Sequence, residues 1–211
     1  MRQAARHMIP HRSFIATAFA FTACLATAQK PIELLEGDIL FQHIGGEQGH
    51  ALQLATGSEW THVGIAMLER GNWVVIEAVG PVKRTPLAEW IEQGGGAYVV
   101  KRYMQNGRPL AGADVERLRV AIKPFLGVGY DLEFRWSDEL IYCSELVWKV
   151  FERGLGVRLC DPTPMRSYHL ADPVVQRAMK DRYGSAPPLD EPMLAPSSLF
   201  ACPSLTLVGE R

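Results

Sequence analysis

Apolar and polar positions along the chain divide it into recognisable elements. Residues 37–43 (Gly-Asp-Ile-Leu-Phe-Gln-His) begin at a turn and alternate, which predicts a strand. Residues 48–56 suit a short helix with Gly57 as its stop. Residues 61–68 and 73–79 are β-rich runs joined by Glu69-Arg70-Gly71-Asn72, a hairpin signal. Residues 98–103 form another predicted strand after the Gly94-Gly95-Gly96 turn. Two helices follow. Residues 114–123 place Val115, Leu118 and Ile122 on one stripe and stop at Pro124. Residues 143–155 place Leu146, Val147, Val150, Phe151 and Leu155 at helical spacing, and Gly154 or Gly156 can close the helix. Beyond Cys160 the chain holds 8 of its 14 prolines, which predicts a loop wrapping the domain from 160 to 211, with a last strand near 205–208. The absence of an internal repeat or low-complexity linker points to one α+β domain over 29–211.

The beginning of the chain follows a different pattern. Arg2, Arg6 and Arg12 precede an uncharged run, 13–28, that ends in Ala26-Thr27-Ala28 before Gln29. A basic start, a short apolar run and a small-x-small end predict a cleaved export signal over 1–28. The run is short for a bilayer span, and a lipid-modified Cys24 is the lesser alternative. Cleavage removes those three arginines and no acid, so 22 basic against 23 acidic residues becomes 19 against 23. The expected location is periplasmic or secreted, without stable insertion in a membrane.

Composition narrows the partners further. With 47% hydrophobic and 21% charged residues, the 211-residue chain can bury a proper core. Its formal charge of -1 includes no basic excess to hold a phosphate backbone, so nucleic acid is excluded as a partner class. After export Cys143, Cys160 and Cys202 remain. In an oxidising compartment Cys160 and Cys202, both in Pro-rich surroundings, are the candidate disulfide, leaving Cys143 as a free thiol.

The hairpin supplies the first chemistry. With Glu69 to Asn72 as the turn, Leu68 faces Trp73 and Gly64 lies opposite Glu77. His62 then shares a face with Glu77 as its diagonal neighbour, within reach of a hydrogen bond. A carboxylate inside Trp-Val-Val-Ile-Glu-Ala-Val needs a partner, and an imidazolium supplies one. Cys143 opens an amphipathic helix, where free N–H groups and the helix dipole favour a thiolate. The Cys143 N–H is also a natural donor to an oxyanion, with Gln42, Tyr130 and Tyr142 as candidates for the second donor.

Taken together, Gly37-Asp38-Ile39-Leu40, Thr61-His62-Val63-Gly64-Ile65, Glu77-Ala78, Gly129-Tyr130-Asp131 and Tyr142-Cys143-Ser144-Glu145-Leu146 resemble the YiiX-like permuted papain-like amidases, relatives of the NlpC-type cell-wall hydrolases. The resemblance covers residues 36–154. It implies a papain-like α+β domain, with an antiparallel barrel-like sheet packed against a few helices. It also implies Cys143 as nucleophile, His62 as general base and Glu77 as the residue orienting the histidine. No cofactor or metal is implied. The substrate implied is a peptide or a peptidoglycan fragment; a lipid acyltransferase or thioesterase with the same triad, or a non-catalytic cell-wall binding module, are the alternatives.

Each residue has a plainer explanation. Cys143 could be a small core residue, His62 a satisfied strand histidine, and Glu77 an ion-pair partner of Lys83 or Arg84. A structural metal held by His62 and Cys143 is a more distant option. Asp38 and Asp131 are expected to fix turns, while His43 and His50 match no zinc spacing. Trp60 and Trp136 are candidate cleft residues.

Overall fold

Strand β1 (Ile39–Gln42) and the hairpin β2 (His62–Glu69) and β3 (Asn72–Ala78) are central, with helix α1 (Gly46–Thr56) inserted between β1 and β2. Strand β4 (Val82–Pro86), helix α2 (Leu87–Gln93), strand β5 (Val99–Gln105) and the two-residue β6 (Arg108–Pro109) follow. Next come α3 (Ala113–Ile122), β7 (Gly129–Tyr130), β8 (Leu140–Ile141) and α4 (Cys143–Leu155). The last part holds β9 (Thr163–Pro164), α5 (Pro173–Tyr183), β10 (Pro192–Met193), α6 (Pro196–Phe200) and β11 (Leu205–Glu210). This computed structural model describes residues 31–211, of which 32–211 form one compact unit. The export signal expected over 1–28 and the Cys24 alternative lie outside the described residues.

The main sheet runs β11-β5-β1-β2-β3-β4 with antiparallel neighbours, and β6 pairs with β5. Its register follows from the hairpin turn. Arg70 (φ 50) and Gly71 (φ 81) both adopt the left-handed conformation of the tight turn that matches strand twist. Glu69 then pairs with Asn72 and Leu68 with Trp73, the register read from the sequence.

Alternation sorts the strand residues onto two faces. Ile39, Phe41, Val63, Ile65 and Met67 meet Leu146, Val147, Val150 and Phe151 of α4 in the larger core. Leu40, Ala66, Val75 and Val100 form a smaller core under Trp90 of α2. The larger core therefore fixes where α4 begins, which matters because Cys143 is its first residue.

Asp38 and Asp131 act as turn-fixing residues. Asp38 accepts the Leu35 N–H at 2.8 Å and pairs with Arg102 at 2.6 Å, while Asp131 accepts the Glu133 N–H at 2.7 Å. Cys160 and Cys202 form a disulfide with a Cα–Cα distance of 5.8 Å, tying the end of the α4 region to the approach to β11. Closing a loop with a sequence separation of 42 removes unfolded-chain entropy equivalent to about 4 kcal/mol.

The segment after Cys160 is more structured than its prolines suggest. Pro173 is the first residue of α5 rather than a breaker, because its fixed φ suits a helix start and its missing N–H has no helical acceptor there. Asp172 caps the helix by accepting the Val174 N–H at 2.8 Å. Val175, Ala178 and Met179 of α5 keep helical spacing and face one cavity, but only Val175 is buried and the surrounding prolines mask the stripe. The sequence reading likewise did not anticipate β4 and α2.

Candidate active site

His62 opens β2 directly across from Gln42 of β1, and Glu77 lies near the end of β3. Continuing the hairpin register places Gly64 opposite Glu77. A Cβ on Gly64 would come within 2.4 Å of Val75 Cγ1 and 2.9 Å of the Ile76 carbonyl oxygen, so this close approach admits only glycine. Across that gap His62 Nε2 and Glu77 Oε2 are 2.6 Å apart. The second carboxylate oxygen accepts the Thr85 hydroxyl at 2.5 Å. Glu77 is 0% exposed and His62 4%, so this is a buried, fully partnered carboxylate.

The ion pairs considered for Glu77 divide in two. Lys83 is its Cα partner on β4, with its Nζ 4.0 Å from Glu77 Oε1, whereas Arg84 pairs with Glu69 at 2.7 Å.

Cys143 approaches from the opposite layer, at the N-terminus of α4. The Leu146 N–H donates to the Tyr142 carbonyl at 2.9 Å, closing the first helical turn, and the Tyr142 N–H donates to Glu145 Oε2 at 3.4 Å. The Cys143 N–H belongs to that first turn, whose donors have no intrahelical acceptor. Its thiol stands beside the His62 imidazole, close enough to be among the groups that favour the imidazolium. With Nε2 committed to Glu77, the nitrogen left for Cys143 is Nδ1.

Charge follows this geometry. Burial opposes the imidazolium, but hydrogen bonds and charges from Cys143 and Glu77 outweigh it, and the His62 pKa is raised to about 9. Burial also opposes the Glu77 carboxylate, yet the His62 hydrogen bond and charge hold its pKa below the usual value. The arrangement can move a proton from a thiol to an imidazole and hold the resulting cation against a carboxylate.

A cleft of about 520 Å³ reaches this cluster, with His62, Tyr130, Gln48 and Leu52 in its walls. Cys143 lies beside it, 3% exposed. Of the three candidates for a second oxyanion donor, Tyr130 lines the cleft and feels the Cys143 charge; burial and that charge push its phenol up. Its hydroxyl accepts Gln48 Nε2 at 3.4 Å, which leaves its own proton to donate. Tyr142 is 2% exposed, and its hydroxyl accepts the Leu194 N–H at 3.2 Å. Gln42 is 0% exposed and packs against Gly94, where a Cβ would come within 2.2 Å of its Oε1. Neither Tyr142 nor Gln42 forms part of the cleft wall.

Comparison with known proteins agrees with this architecture. The family model of the permuted papain-like amidases (YaeF/YiiX, C92) matches residues 33–209. The chain belongs to this family. Its chemistry is that of a cysteine hydrolase of the amidase type. The protein YiiX of Escherichia coli K12 is 41% identical over 176 residues, covering 83% of this chain and 86% of YiiX. A crystal structure of YiiX from Escherichia coli O157:H7, described as a metalloprotein, superposes with a TM-score of 0.79 at 41% identity and covers 83% of this chain and 97% of that one.

Several residues belong elsewhere or escaped the sequence reading. Trp60 stacks on Phe200 and Trp136 packs edge-on against Trp148, both away from the cleft wall. His43 and His50 are exposed. Thr85 was missed because β4 was missed, although Lys83-Arg84-Thr85 after Gly80-Pro81 continues the meander by one strand. Gln48 and its partner Arg182 had no local signal.

Proposed function

We propose that this protein is an exported cysteine hydrolase that cleaves amide bonds in short peptides, peptidoglycan stem peptides among them. Cys143 attacks the carbonyl as a thiolate paired with the His62 imidazolium. The Cys143 N–H and the Tyr130 hydroxyl bind the developing oxyanion. His62 gives its proton to the leaving amine, and water then releases the acyl group from sulfur with His62 as base. Glu77 fixes the imidazole so that Nδ1 faces the sulfur.

One observation carries this reading: a thiol at a helix N-terminus shares a histidine with a buried carboxylate held 2.6 Å from the other ring nitrogen. The basic and apolar pattern of 1–28 supports export to a periplasm or beyond, where such peptides occur. Replacing Cys143 by Ala is expected to lower turnover of muropeptides by about 10³-fold or more while leaving the melting temperature near that of the wild type. Full activity in that variant would refute the mechanism.

A second reading, acyl transfer from lipids by the same three residues, draws on an apolar cavity beside the cleft, between α1 and α5. That cavity is about 70 Å³. Cavities of ~150 Å³ take a benzene ring, so this one suits a few carbon atoms rather than an acyl chain. Muropeptides and acyl esters assayed side by side separate the two readings.

The related Escherichia coli O157:H7 structure is described as a metalloprotein, and the residues of this site offer few donors to an ion. His62 Nε2 is committed to Glu77 and the second Glu77 oxygen to Thr85, leaving Cys143 and one ring nitrogen as donors. No group of three His, Cys, Asp or Glu side chains fit to hold a metal occurs among the described residues. The donor set does not suit a resident ion.

A further inference from the structure

The proposed chemistry uses no cation to recognise substrate, yet one stands at the junction of the cleft and the apolar cavity. Gln48 and Leu52 of α1 line both spaces. Gln48 donates to the Tyr130 hydroxyl with Nε2, and its Oε1 accepts Arg182 Nη2 at 3.3 Å. Arg182 therefore connects through one side chain to the tyrosine beside Cys143.

Arg182 is half-buried near the end of α5, and its guanidinium lies 4.6 Å over the Phe134 ring. Among the described residues it forms no ion pair, whereas Arg84, Arg102, Arg117, Arg119, Arg135 and Arg153 each do. Asp131 is an acid of the same neighbourhood, and both its oxygens accept backbone N–H groups, from Glu133 at 2.7 Å and Arg135 at 2.5 Å. A guanidinium held in place by an aromatic face, an amide and the neighbouring Tyr183 phenol still keeps N–H donors for a planar anion. The cavity it lines is otherwise almost entirely apolar, with Met165, Val175, Met179 and Met193 in its wall.

We propose that Arg182 is the carboxylate-recognising residue of the cleft. It binds an organic carboxylate whose neighbouring group is small and apolar, and the source that fits is the free C-terminus of a peptide. The last side chain enters the cavity between α1 and α5, and the main chain runs past Gln48 toward Tyr130 and Cys143. This rests on the peptide-hydrolase reading. It adds that the C-terminal fragment, held by its carboxylate, leaves as the amine and takes its proton from His62. A fatty acid offers the same carboxylate, but its chain exceeds the cavity.

Binding separates these ideas without requiring turnover. Acetyl-alanyl-valine, its C-terminal amide and octanoate would be titrated by calorimetry into the Cys143→Ala protein, and into the same protein carrying Arg182→Gln or Arg182→Lys. The acid is expected to bind about tenfold or more tightly than the amide, and more tightly than octanoate. Arg182→Gln should abolish the preference for acid while leaving amide binding within about twofold, and Arg182→Lys should retain part of it. A merely structural arginine would weaken acid and amide alike, and that result would overturn the proposal. So would equal affinity for acid and amide, no binding of either, a preference that survives Arg182→Gln, or octanoate as the tighter ligand. The hydrolase reading fails on a different measurement, namely turnover by the Cys143→Ala protein.

Discussion

Glu77 and Glu145 are both completely buried glutamates, and their charges respond in opposite ways. Glu77 has one partner per oxygen: the His62 ring at 2.6 Å and the Thr85 hydroxyl at 2.5 Å. Its pKa is lowered despite burial. Glu145 accepts the Tyr142 N–H at 3.4 Å and faces Lys149 Nζ at 2.7 Å, but that ammonium also binds Asp138 at 2.8 Å. Burial dominates, and the Glu145 pKa is raised to about 7. The depth of burial is the same; the partners differ. A buried carboxylate keeps its charge where the fold dedicates a partner to each oxygen, and gives it up where the partners are long or shared. Glu77 serves the histidine and Glu145 the helix start beneath the cysteine, so the two ends of the proposed site rest on electrostatics of opposite sign.

Removing the Glu77 charge should have the largest effect. Glu77→Gln is expected to lower kcat by about 10²-fold or more. The alkaline limb of the kcat/KM profile, expected near pH 9 from the raised His62 pKa, should move toward lower pH, because the anion favouring the imidazolium is gone. Glu145→Gln should leave that limb in place, and a shift in both variants would erase the distinction.

Thr85→Val removes one of the two Glu77 partners and leaves an oxygen without its donor. A fall of about tenfold in kcat, with a shift of the limb in the same direction, is the expected result.

Glu145→Gln should be read in stability rather than rate. Its folded pKa of about 7 lies above the ordinary value of 4.5, so the folded state holds a proton that the unfolded chain has already released. Between those two values this group makes the wild type lose stability as pH rises. Thermal melts from pH 4.5 to 7.5 should therefore slope less steeply downward in the variant, and parallel slopes would contradict the raised value.

The smallest effect is expected at Lys83. Its side chain is 42% exposed and its Nζ lies 4.0 Å from Glu77, so Lys83→Ala should change kcat/KM by less than about twofold. A larger loss would make the surface lysine, rather than Thr85, the second Glu77 partner that matters.

Legibility in the sequence followed the range of the forces involved. The bounds of α4 were readable because its apolar positions repeat with the helix and Gly156 closes it in the left-handed conformation. The facing of His62 and Glu77 was readable because a two-residue turn sets the register of the entire hairpin. Helix α5 was hidden by the prolines around it, although Val175, Ala178 and Met179 keep helical spacing, and Thr85 by a third strand whose pairing the local sequence only hints at.

The α+β class, the hairpin register and the start of the cysteine's helix are written in local sequence, since each depends on residues only a few positions apart. Tertiary structure decided which way Cys143 faces, because α4 and β2 are far apart in sequence and meet through a shared core that includes Val63, Ile65, Leu146 and Val147. It decided in the same way that Tyr130, rather than Tyr142 or Gln42, lines the cleft. It also brought Arg182 to Gln48 across 134 positions, a distance over which no periodicity or turn chemistry carries information.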